Sequence, residues 1–142
     1  MGHTRVDIVI ILENFEQSHS MLRMSVEKLG FSVLAGENGL MGLEFVARCQ
    51  KENLNLVAIL ADISMPKMDG FTFLKNLNTI KKGAPNVPFF FLANDSDKKS
   101  VVQARNLGAT GYILKPLTLE KIYSKFQEHF PSRNFPVFKS VS

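Results

Sequence analysis

Residues 5–12 read Arg5-Val6-Asp7-Ile8-Val9-Ile10-Ile11-Leu12, a β-branched run that is nearly unbroken in apolar character. A strand with one face in water alternates apolar and polar residues, whereas a strand covered by helices on both faces has no need to. The run therefore predicts a central strand of a parallel sheet. The same texture returns at Leu56–Ala61 (LVAILA), which ends on Asp62, and at Val87–Leu92 (VPFFFL). Shorter strands are predicted at Phe31–Leu34 and Gly111–Leu114.

Helical patterns fill the intervals. In Glu16–Leu29 the apolar residues Leu22, Val26 and Leu29 recur at i, i+4 and i+7, with Gly30 at the C-cap position. Leu40–Gln50 places Leu43, Val46 and Ala47 on one side, and Phe71–Ile80 follows Gly70. Ser96 or Asp97 is placed to cap a helix that runs to Leu107 before Gly108. Thr118 caps a last helix with Leu119, Ile122, Phe126 and Phe130 on one face. Five strands and five helices in strict alternation imply parallel strands, right-handed crossovers and a doubly wound α/β fold.

Composition sets the outer bounds. The chain has 142 residues, 45% hydrophobic and 21% charged, which suits one soluble globular domain. Its apolar runs are far shorter than the ~20 residues of a membrane span. The single cysteine, Cys49, excludes an internal disulfide framework and fits a reducing, cytoplasmic setting. Seventeen Lys and Arg against thirteen Asp and Glu give a net charge of +4. The basic residues are scattered, with Lys81-Lys82 and Lys98-Lys99 as doublets, whereas nucleic-acid binders cluster them on one face. No nucleic acid and no membrane partner is expected. Residues 131–142 carry Pro131 and Pro136 among polar neighbours and read as a tail or linker stub.

Open α/β sheets bind ligands beyond the carboxyl ends of their strands. Those ends supply Glu13 and Asn14 after the first strand and Asp62 after the third. Ala93 to Asp95 follow the fourth, and Lys115-Pro116 the fifth. Two acids, an amide and a lysine at one rim suit a hard divalent cation held by oxygens beside an anion neutralised by an ammonium.

The segment Asp62-Ile-Ser-Met-Pro-Lys-Met-Asp-Gly70, with Lys115-Pro116 after Gly111-Tyr-Ile-Leu, closely resembles the phosphoacceptor loop and fifth-strand signature of response-regulator receiver domains in two-component signalling. The likeness covers residues 5–130, and it implies a flavodoxin-like sheet of order 2-1-3-4-5. It further implies that Asp62 accepts a phosphoryl group from a histidine kinase or histidine-phosphotransfer protein. Lys115 would be the counter-charge, and Glu13, Asn14, Asp62 and the Ser64 backbone carbonyl would hold Mg²⁺. Such a chain is a signalling domain that catalyses at most its own aspartyl phosphorylation and dephosphorylation. In this family the Lys-Pro bond is typically cis, a geometry tolerable only ahead of proline. Receivers also dimerise or bind targets through the fourth helix, fifth strand and fifth helix, which here carry Lys98, Lys99, Arg105, Lys121 and Lys125. With no output domain after residue 130, a stand-alone or excised receiver is expected.

Two positions depart from the family pattern. Asn14 stands where a second acid is usual, and one missing charge ~4 Å from a cation weakens the attraction by up to ~4 kcal/mol before solvation offsets it. A loss of about 10- to 100-fold in Mg²⁺ affinity is expected. Ala93 occupies the place of a Ser or Thr whose hydroxyl bonds the phosphoryl group and lets an aromatic, here Tyr112, turn inward. The switch pair Ala93 and Tyr112 therefore lacks its middle link. The alternative reading is a pseudo-receiver, a protein-interaction module that works without phosphorylation.

Other chemistries fit less well. Glu13-Asn14-Phe15-Glu16 has none of the Gly, Ser and Thr of an FMN phosphate loop, and no D-x-D of a haloacid-type phosphatase follows the first strand. His3, His19 and His129 are too scattered for a metal site, and Cys49 has no partner that would activate it.

Overall fold

The computed structural model describes residues 5–80, 87–95 and 97–135. Its elements alternate in the order β1 (Asp7–Leu12), α1 (Glu16–Lys28), β2 (Ser32–Gly36), α2 (Gly39–Lys51), β3 (Asn55–Asp62), α3 (Gly70–Thr79), β4 (Phe89–Ala93), α4 (Lys98–Asn106), β5 (Gly111–Leu114) and α5 (Leu119–His129). All neighbouring strands pair in parallel, in the order β2-β1-β3-β4-β5. The doubly wound architecture expected from the alternation is the one observed.

The three apolar runs form the middle of the sheet, and their side chains divide between two cores. Val9, Ile11, Leu60, Phe90 and Leu92 pack under α1 and α5. Ile8, Ile10, Leu12, Ile59, Ala61, Phe89 and Phe91 pack with Phe73, Leu74 and Ala104 on the other face. The phenylalanine triplet of β4 alternates accordingly: Phe90 stacks on Phe126 of α5, while Phe89 meets Phe73 and Phe91 meets Phe71 of α3. Burial on both faces explains why these strands do not alternate in polarity.

Differences from the predicted boundaries have local causes. β4 begins at Phe89 rather than Val87 because Pro88 has no N–H for the ladder, although its carbonyl still accepts from the Ile59 N–H. Phe31 is not in β2. It follows Gly30, whose φ of +99° turns the chain out of α1, and its ring joins the aromatic cluster with Phe126 and Phe135. The helix N-caps on α4 and α5 are Asp97 and Thr118, accepting from the Ser100 and Lys121 N–H groups. Ser96, the alternative cap, and the Lys81-Lys82 doublet lie outside the described residues.

Residues 131–135 differ from the loose tail that their composition suggested. Arg133 donates to the Asp7 carboxylate at 2.9 Å and lies 5.1 Å above the Phe31 ring. Phe135 is buried against Phe31, Tyr123 and Phe126. An aromatic anchor and a charge pair outweigh the turn-forming prolines. Residues 136–142 lie outside the described residues.

Candidate functional site

Parallel register carries the ends of β1, β3, β4 and β5 to one rim. Leu12 pairs with Ala61, Asp62 with Leu92, and Ala93 with Leu114. Glu13, Asp62 and Lys115, distant in sequence, therefore meet. The Lys115 ammonium lies 2.5 Å from Asp62 Oδ2 and 3.0 Å from each oxygen of Glu13. This cluster is largely withdrawn from water, with side-chain exposures of 0% for Glu13, 9% for Asp62 and 14% for Lys115.

Local structure fixes each group. Glu13 Oε1 accepts from the Phe15 N–H at 3.0 Å, so a buried carboxylate takes the place of the side-chain cap that α1 lacks. The His19 ring, half-buried in α1, donates from Nδ1 to the Glu13 carbonyl at 3.0 Å and pins the β1–α1 turn. Asp62 Oδ1 accepts from the Ser64 N–H at 3.1 Å. The loop then passes through Lys67, at φ +65°, and returns with the Gly70 N–H donating to the Ile63 carbonyl. Gly70 is required here because a Cβ would collide with the Asp62 carbonyl. The loop is also tied to α2 by the Gly39 N–H, which donates to the Met68 carbonyl at 2.9 Å.

Just past β5, the Lys115 N–H donates to the Ala93 carbonyl, and the Lys115-Pro116 bond is cis. The Lys121 ammonium donates to the carbonyls of Leu114 and Pro116 at 3.1 and 3.0 Å, bracketing the site lysine.

Two carboxylates and one ammonium leave the cluster short of positive charge. Burial, and then the Asp62 charge, push the Glu13 carboxyl above its ordinary pKa of 4.5. Burial alone would lower the Lys115 pKa. The hydrogen bonds and charges of Asp62 and Glu13 outweigh it and hold the ammonium above 10.5. Glu13 Oε2 is the buried side-chain oxygen that finds no well-aligned hydrogen bond among the described residues, a cost that a buried acceptor rarely carries without a reason.

A cavity of about 510 Å³ opens over the cluster, lined by Glu13, Asn14, Ser18, Asp62, Ser64 and Lys115 among others. The Asn14 side chain is exposed on its wall. Hard oxygen donors around a buried carboxylate oxygen that lacks an aligned hydrogen bond fit a divalent cation such as Mg²⁺. Glu13, Asn14, Asp62, Ser64 and Lys115 thus lie at this cavity, whereas the expected switch pair, Ala93 and Tyr112, does not. Those two line a second cavity of about 180 Å³ on the other side of Asp62. There the Tyr112 hydroxyl donates to the Asp95 carbonyl at 3.1 Å. Asn94, which borders both cavities, was not singled out from the sequence; its only signal was its place one residue past the end of β4.

The chain resembles known proteins along most of its length. Residues 9–127 match the sequence model of the response regulator receiver domain. The chemotaxis protein CheV3 of Helicobacter pylori is 33% identical over 112 residues, 75% of this chain and 36% of that protein. The sensor histidine kinase CheAY of the same organism is 33% identical over 113 residues, 80% of this chain and 14% of that protein. The chain thus spans only a minor part of both relatives. Among solved structures, the CheX-CheY-BeF3-Mg²⁺ complex from Borrelia burgdorferi shares the fold, with a TM-score of 0.71 at 24% identity, over 88% of this chain and 89% of that one. A sheet of this order, an acid loop after β3 and a Lys-Pro after β5, joined to a match over most of the chain, make it a member of the response regulator receiver domain family.

Proposed function

We propose that the chain is a phosphoacceptor in two-component signalling, with Asp62 as the residue that receives the phosphoryl group. The observation that carries this is the Lys115 ammonium held at once by the little-exposed carboxylates of Asp62 and Glu13 at the floor of an open cavity. A buried acid pair with too little positive charge costs stability, and it has a use where dianionic and cationic ligands complete the balance.

In the proposed reaction an Asp62 carboxylate oxygen attacks phosphorus. The P–N bond of a donor phosphohistidine breaks, and its electron pair stays on the imidazole nitrogen. Lys115, already at Asp62, neutralises the phosphoryl oxygens as they arrive. The Ser64 N–H holds the other Asp62 oxygen and orients the nucleophile. Glu13, Asn14, Asp62 and the Ser64 carbonyl are the groups that would hold Mg²⁺, which supplies positive charge against the transferring group. The CheX-CheY complex from Borrelia burgdorferi contains BeF3 and Mg²⁺, which supports the same ligands here. A kinase or phosphotransfer protein is the donor this reading requires, with the α4-β5-α5 face as the surface for a target or a second copy.

Treating the protein with acetyl phosphate and Mg²⁺ tests the reading. A phosphate-mass adduct that disappears in Asp62→Asn supports it. No adduct at high Mg²⁺ overturns it in favour of an interaction module that works without phosphorylation, the reading that Asn14 and Ala93 favour.

A further inference from the structure

A phosphoryl group on Asp62 presents three non-bridging oxygens, and this chain has an evident partner for two of them. Lys115 would serve one, and a cation held by Glu13, Asn14 and Asp62 would supply positive charge to another. Toward the third, β4 offers only the Ala93 methyl group. Asp62 nevertheless stands between two cavities, and the residues that border both are Asp62 itself, Ser64 and Asn94. The Ser64 N–H is already committed to Asp62 Oδ1. The Asn94 side chain is exposed and makes no hydrogen bond among the described residues.

The charge pattern makes an amide the suitable group. Beyond Asn94 the β4–α4 turn carries Asp95 and Asp97, each of which accepts a backbone N–H, from Asp97 at 3.3 Å and from Ser100 at 2.9 Å. Those carboxylates repel an incoming phosphoryl anion. A neutral carboxamide at the boundary offers two N–H donors and adds no further negative charge.

Resting on the phosphoacceptor reading above, we propose that the Asn94 carboxamide donates to the third phosphoryl oxygen and so replaces the hydroxyl that Ala93 lacks. Asn94 then touches the reacting group directly, and its contribution depends on what stands at position 93.

The test is a cycle of four proteins, wild type, Asn94→Ala, Ala93→Thr and the double variant, with Asn94→Asp as a fifth. Each is titrated with beryllium fluoride in saturating Mg²⁺, and the lifetime of its acetyl-phosphate adduct is followed. Asn94→Ala weakens beryllium fluoride binding about tenfold, the loss of one hydrogen bond to a charged group. Asn94→Asp weakens it further through repulsion. In the Ala93→Thr background the same Asn94→Ala change costs less than about twofold, because the hydroxyl then fills the role. Equal losses in both backgrounds, or a loss below about twofold in the wild-type background, overturn the proposal. If the wild type itself binds no beryllium fluoride and forms no adduct, the phosphoacceptor reading falls, and this proposal with it. A wild type that binds normally beside an unaffected Asn94→Ala sinks the assignment of Asn94 alone.

Discussion

The two ends of the sheet hold their charges in opposite ways. At the amino end, Asp7 accepts from Asn55 at 2.7 Å and from Arg133 at 2.9 Å, and the guanidinium rests on the Phe31 ring. One anion meets one cation, half in water, with an apolar seat beneath. The hydrogen bond from Asn55 dominates and, with Arg133, holds the Asp7 carboxyl below its ordinary value against the opposing effect of burial. At the carboxyl end, two anions share one cation, and the innermost of them is fully buried. The first arrangement closes the domain. The second leaves two carboxylates competing for one ammonium, and the two ends therefore differ in charge balance as well as in exposure.

Breaking the rim cluster should give the largest effect. Lys115→Met leaves Glu13 and Asp62 facing each other without a counter-ion, and should cost about 3 kcal/mol in denaturant unfolding at neutral pH. Adding Glu13→Gln should recover a good part of that loss. A loss below about 1 kcal/mol would mean that water already balances the pair, and the contrast between the two ends would not hold. At the other end, Phe135→Ala should cost about 2 kcal/mol by emptying the aromatic cluster, and should leave beryllium fluoride affinity unchanged. If that affinity falls, the two ends are coupled.

Supplying the missing charge sharpens the comparison from the ligand side. Asn14→Asp should tighten Mg²⁺ binding at least about tenfold in a calorimetric titration. Unchanged affinity would show that position 14 does not face the cation. The smallest effect is one of pH. Glu13 has its pKa raised by folding, so it weakens the fold as pH climbs from the unfolded value of 4.5 through the raised one. Asp7 has its pKa lowered, so its contribution is present above 3.8 and is lost as pH falls through the depressed value. Glu13→Gln should therefore add about 1 kcal/mol at neutral pH, and this gain should vanish near the lower end of that range. A gain that does not change with pH would place its origin outside Glu13 ionisation.

Most of the fold was legible because both-face burial leaves a direct mark on sequence: the runs of β1, β3 and β4 could not be surface strands. The helix ends were legible where Gly30 and Gly108 supply positive φ. The meeting of Glu13, Asp62 and Lys115 followed from strand-end reasoning, but the shared grip of Lys115 on both acids did not, since it depends on side-chain reach across three strands. Arg133 and Phe135 were hidden by the prolines and polar residues around them, although Phe126, Phe130 and Phe135 form an aromatic series. Asn94 left no periodic signal at all.

β4 has a consequence of its own. Its alternating rings lock Phe90 to α5 and Phe89 and Phe91 to α3, so no single layer of helices owns this strand. A shift beginning at Ala93 and Asn94 would be transmitted to both sides of the molecule at once, like a bolt threaded through two plates. A listener docked on either flank could hear the same event.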